Sequence, residues 1–290
     1  TLGIIGAQGL LTLGDAGTSV LFIGASILVS VSFAPILLSV SSVPVTEAAK
    51  AMPLRELFVE APLSTVGIFL LGSVYATQSG MGAVFGTKID LTTAQIALFI
   101  GMLFAGALLF QYPIGWLSDR MDRRKLIFGA ALMGGISCAL GWMAGDQLWP
   151  LMAAAFFAGG MTTPLYALFL AYTNDFLTLE EMPAASGALV LTFGIGAISG
   201  PLVTGWAMQQ FGPYAFWLVL VVTFGAIALY ALYRMTKREA IPTDETESYL
   251  GVLPTASPMA VETAGVWAAE QAEAEAEAEA ETEKEHPTQP

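Results

Sequence analysis

The sequence predicts an all-α membrane protein, a bundle of apolar helices followed by a hydrophilic tail, and three observations carry that prediction. Hydrophobic residues make up 55% of the 290-residue chain and charged residues 12%, with a mean hydropathy of +0.67; soluble globular domains seldom reach that balance. Apolar runs long enough to cross a bilayer, which takes about 20 residues of helix, recur as far as Tyr233. Lysine and arginine gather in alternate connections between those runs, as they do when helices thread back and forth through a membrane.

The opening run, Leu2 to Leu13, is too short to span and has neither a basic region before it nor a cleavage signature. The chain is therefore expected to begin inside a helix. Seven full spans are predicted after it: Ala16 to Val40, Pro62 to Phe85, Thr93 to Leu117, Leu126 to Ala144, Leu148 to Tyr172, Ser186 to Met208 and Pro213 to Tyr233. Interior glycines such as Gly129, Gly134, Gly135 and Gly141 let membrane helices approach closely, so a packed bundle is expected. Between the first and second spans, Ser41 to Ala61 is polar and carries Glu47, Lys50, Arg55, Glu56 and Glu60. It reads as a cytoplasmic linker with room for a short surface helix. The expected organisation is the end of a first bundle over residues 1–40, a linker over 41–61, a six-helix bundle over 62–233 and an acidic tail over 234–290.

The formal charge of −13 belongs to the tail. From Glu239 onward there are thirteen acidic residues and one lysine, Lys284, while the rest of the chain is close to neutral. Glu and Ala alternate from Ala269 to Glu281, and self-repulsion without an apolar stripe predicts a disordered, solvated segment. The acidity thus says little about a substrate. One set of alternate connections holds Lys50, Arg55, Arg120, Arg123, Arg124, Lys125, Arg234, Lys237 and Arg238, and the other holds only Lys88. Positive loops stay inside, which predicts a cytoplasmic C-terminus.

Cys138, the single cysteine, lies in an apolar run, and His286, the single histidine, lies in the tail. They provide no disulfide framework and no metal set. With no nucleophile and base pair or phosphate loop in view, no catalytic residue, cofactor or enzyme activity is expected, and no nucleic-acid partner.

The residues Gly115, Trp116, Leu117, Ser118, Asp119, Arg120, Met121, Asp122, Arg123 and Arg124 close one predicted span and open the next. This segment resembles the loop signature GxLxDRxGRR of the major facilitator superfamily, placed between the second and third helices of each six-helix half. Asp122 stands where the family has glycine, which stiffens the turn. The segments MPLRELFVEAP, FLLGSVYATQSGMGAVFG and PLYALFLAYTND are similar to a bacterial branch of that family. The resemblance implies a partial family bundle: the end of helix 5, helix 6 and helices 7–12. It implies a multi-pass inner-membrane transporter that moves a small solute by alternating access with proton coupling, its partners being the lipid bilayer and the N-terminal half of the same protein. A non-transporting membrane sensor or scaffold is the alternative.

In the family the charged loop acts as a cytoplasmic gate, so Gly115, Asp119, Arg120, Arg123 and Arg124 are the gate candidates. The partner of Asp119 is expected at the cytoplasmic end of helix 5 of the first half, an end that the opening run does not contain. A second pattern, Gly187, Gly196, Gly200, Pro201 and Gly205 with Thr204 in place of a glycine, resembles the family's antiporter-type glycine–proline pattern. It is expected to bend and pack its helix, since proline frees a backbone carbonyl. Thr178 with Glu181 fits a capping box.

No ionisable residue falls at the centre of the last six spans, where such residues mark relays. Any proton-coupling carboxylate is therefore expected outside them. The polar candidates are Tyr75, Thr77, Gln78 and Ser79, then Gln111 and Tyr112, then Thr162, Thr163 and Tyr166. The family's first and fourth helices of each half line its cavity, which favours Gln78 and Tyr166, with Tyr75 and Gln111 beside them.

Overall fold

The computed structural model describes residues 52–178 and 181–237, together with Ile23, Ser26, Ile27 and Ser30. The opening run, most of the expected first span Ala16 to Val40, most of the linker and the tail beyond Lys237 lie outside the described residues. A short helix α1 (Leu54–Glu60) buries Leu57 and leaves Phe58 and Val59 exposed. Six long helices follow: α2 (Pro62–Lys88), α3 (Thr93–Ser118), α4 (Arg123–Met143), α5 (Leu148–Asn174), α6 (Met182–Phe211) and α7 (Ala215–Met235), each long and apolar enough to cross a membrane.

Local chemistry sets most of their ends. Pro62 begins α2 at a position where its missing N–H costs nothing. Thr92 and Gln95 form a capping box on α3. Three starts differ from the sequence expectation: α4 begins at Arg123 rather than Leu126, α6 at Met182 rather than Ser186, and α7 at Ala215 rather than Pro213. In the first case the Asp122 carboxylate accepts the backbone N–H of Arg124 at 3.0 Å, so the charged residues form the first helical turn. An apolar ruler does not register such a turn. Ahead of α6, the carboxylate of Glu181 accepts the backbone N–H and hydroxyl of Thr178 at 3.0 and 2.9 Å.

The helices pair as α3 with α5, α6 with α2, and α7 with α4. Lipid supplies no hydrophobic drive between helices, so close contact must carry the packing. A Cβ on Gly106 would lie 1.8 Å from the Phe156 carbonyl oxygen, and one on Gly196 would lie 1.9 Å from that of Phe69. The backbones of these pairs therefore touch. On α4, Gly134 and Gly141 make room for the rings of Phe224 and Trp217 from α7. The most apolar stretch of α5 is 83% buried, against at most 44% for the other five, which places α5 at the centre. Leu202 and Val222, by contrast, are 70% exposed, as a lipid-facing residue would be.

At the end opposite the charged turn, Phe85 stacks on Phe216 at 4.8 Å between centroids and meets Trp217 edge-on at 5.9 Å. Phe99 joins them. This aromatic cluster ties α2, α3 and α7 together.

Candidate functional site at the charged turn and mid-bundle recess

The turn between α3 and α4 places its arginines very differently. Arg123 is 3% exposed and forms an ion pair with Asp175, the residue that follows α5. It also donates to the Ala171 carbonyl at 3.1 Å and to Ser118 Oγ at 3.3 Å, and its Nη2 stands 3.8 Å from Asp119. One guanidinium thus joins the ends of α3, α4 and α5. Arg124 is also buried and meets Asp122 through two parallel bonds of 3.0 and 2.9 Å, the geometry that a planar guanidinium favours. Arg120 turns back on α3, its guanidinium 4.3 Å from the Trp116 ring centroid and donating to the Trp116 carbonyl. Gly115 is buried in the last turn of α3.

Burial alone would raise the pKa of Asp122, but the hydrogen bonds from Arg124 and the charges of Arg124 and Lys125 outweigh it and hold the carboxyl below its ordinary range. At Glu181 the bonds from Thr178 act in the same direction.

Asp175 did not stand out in the sequence. The signal was present: a carboxylate at a helix C-terminus opposes the helix dipole, so an acid there needs a cation, and Arg123 supplies it.

Halfway along the bundle, α2 widens into a π-turn over Thr77–Met81, a departure often found at functional positions. Beside it, a half-open recess is lined by Tyr75, Gln78, Ser79, Leu103, Phe104, Gly159, Thr162 and Thr163. Thr162 Oγ1 lies 3.0 Å from Gln78 Oε1, and the Tyr75 ring packs 5.7 Å from that of Phe193. Two of the four cavity candidates, Tyr75 and Gln78, thus line this recess. Tyr166 sits one turn further along α5, 1% exposed, its ring edge-on to Phe193 at 5.5 Å. Gln111 is half-buried on α3 and does not line it.

In α6, Gly196 and Gly200 meet the α2 backbone at Phe69 and Ser73, whereas Gly187 faces open space and Gly205 only approaches Met81 Cε at 3.7 Å. Pro201 lies within the continuous helix. Thr204 shares a 3.1 Å hydrogen bond with Thr77 of the π-turn, a cross-helix link that a glycine at this position could not make.

The model of the family described as Major Facilitator Superfamily matches residues 63–269. Among similar proteins, the uncharacterized MFS-type transporter YfkF of Bacillus subtilis is 26% identical over 163 residues, which are 56% of this chain and 41% of that protein. The uncharacterized MFS-type transporter YcaD of Escherichia fergusonii is 24% identical over 187 residues, 63% of this chain and 47% of its own. The chain spans less than half the length of the curated relatives it matches.

Proposed function

Because the chain belongs to the Major Facilitator Superfamily, we propose that it serves as one half of a secondary transporter that moves a small solute by alternating access. The supporting observation is where polarity occurs. Near the middle of α2 and α5, Gln78 and Thr162 are buried and bonded across the helices at a recess, although a polar group at bilayer depth is costly unless it is used or satisfied. Rocking of two bundles about such a midplane site is the general scheme of these folds. In this reading the charged turn and the C-terminus are cytoplasmic and the membrane is the inner one. The contacts of Arg123 with Asp175 and Asp119 form a gate that is made in one state and broken in the other. Proton coupling falls to groups in the remainder of the protein, an N-terminal bundle that completes the pathway.

The test is two-sided accessibility. In the full-length protein with its native cysteines, Cys138 among them, replaced by alanine, the Gln78→Cys thiol should react with an impermeant maleimide in both right-side-out and inside-out vesicles. Labelling from one side only overturns alternating access at this site.

A further inference from the structure

We propose that the Gln78 recess receives a hydroxyl group of an uncharged, polyhydroxylated solute. The inference rests on the transport reading for its setting and on the hydrogen-bond inventory of the recess for its chemistry. Gln78 is 5% exposed, and among the described residues its Nε2 has no hydrogen-bond partner. An orphaned buried amide donor keeps an uncompensated desolvation cost unless something fills the place. Two of the neighbouring hydroxyls, those of Ser79 and Thr162, are in the opposite position. Ser79 Oγ donates its hydrogen to the Tyr75 carbonyl at 2.8 Å, and Thr162 Oγ1 has a single hydrogen for the Ala158 carbonyl at 2.9 Å and Gln78 Oε1 at 3.0 Å. Both hydroxyls therefore retain acceptor lone pairs and no spare donor.

A visiting group must accept from an amide and donate to a hydroxyl oxygen. A hydroxyl does both with one atom. A carboxylate or phosphate can only accept, and an ammonium can only donate. Either would bring a charge into a lining of amide, hydroxyl and apolar groups, with no ionisable residue at the centre of any of the six spans to answer it. Turning the amide round exchanges an N–H for a carbonyl oxygen, which a hydroxyl satisfies equally well. Size agrees: the recess has about 20 Å³ of free volume, enough for one water-sized group. One hydroxyl enters, and the rest of the solute lies outside it.

The test uses full-length protein in detergent, heated with glycerol, xylitol, D-glucose or maltose, and in parallel with L-glutamate or choline. At least one of the four polyols should raise Tm, and its apparent affinity should fall by about tenfold or more in both Gln78→Leu and Gln78→Glu. The second variant keeps the side-chain shape in case the first does not fold. The proposal is overturned if no polyol shifts Tm, if the shift survives in either variant, or if L-glutamate or choline shifts it equally. Cysteine labelling at position 78 reads alternating access without any solute, so failure of the transport reading and failure of the hydroxyl assignment are told apart.

Discussion

The two ends of the six-helix bundle are closed by opposite chemistry. At the charged end, the Arg123 guanidinium gathers Asp175, Asp119, Ser118 and the Ala171 carbonyl. At the other end, Phe85, Phe99, Phe216 and Trp217 meet ring to ring. The ionic closure concentrates its energy in a few directional bonds inside a site of low dielectric, where losing one partner exposes the full desolvation cost of the other. The aromatic closure spreads its energy over many weak contacts and tolerates sliding. A tilt of α5 away from the α3–α4 turn would undo the first in one step and shear the second gradually. In the transport reading, the charged end is therefore the switch-like one.

The sharpest way to break this contrast is Arg123→Ala. The side chains of Arg123 and Asp175 are each 2% exposed, so the substitution takes a guanidinium away from a buried carboxylate and should cost about 3–5 kcal/mol, measured by reversible unfolding in mixed micelles. Combining Arg123→Met with Asp175→Leu removes both charges and should recover most of that loss. A single-variant cost below about 1 kcal/mol would show that the energy is not concentrated on this pair.

A smaller effect is expected at the aromatic end. Trp217→Phe keeps a ring against Phe85 and Phe99, and the indole N–H it removes has no partner among the described residues. The expected cost in the same unfolding assay is about 1 kcal/mol. A loss as large as that of Arg123→Ala would erase the distinction between the ends.

An effect of similar size, confined to acid pH, lies within the charged turn. A carboxylate with a lowered folded-state pKa contributes stability above its unfolded pKa, and that contribution disappears as pH falls through the lowered value. Asp122 is such a group, so its contribution, about 1 kcal/mol as a helix cap, should be present at neutral pH and begin to be lost below about pH 4. Asp122→Asn should flatten that acid limb in a stability-versus-pH series. An unchanged limb would mean that Asp122 stiffens nothing, and that the family's glycine would serve as well.

The six spans were legible because hydropathy over about 20 residues reports the membrane directly. The contact of Thr178 with Glu181 follows from spacing alone, since the two are three residues apart, although only the glutamate's half of the capping box forms. Asp175 lies 52 residues from Arg123 in sequence, and no local pattern joins them. The glycine–proline pattern of α6 shows the same limit: Gly187 and Gly196 look alike in sequence, yet only Gly196 touches a neighbouring backbone. Among the cavity candidates, Gln111 and Gln78 are chemically identical, and only Gln78 falls beside the recess.

By itself, then, the sequence determined the solvent, the number and approximate limits of the spans over residues 62–235, and the crowding of arginines into one turn. Each of these depends on a residue and its near neighbours. The tertiary structure alone decided which arginine is buried, which acid answers it, which glycines form the crossings and which amide is left with a hydrogen bond to give. Those depend on how distant helices are rotated about their axes, and six helices with weak amphipathic character and apolar surroundings leave that rotation to packing.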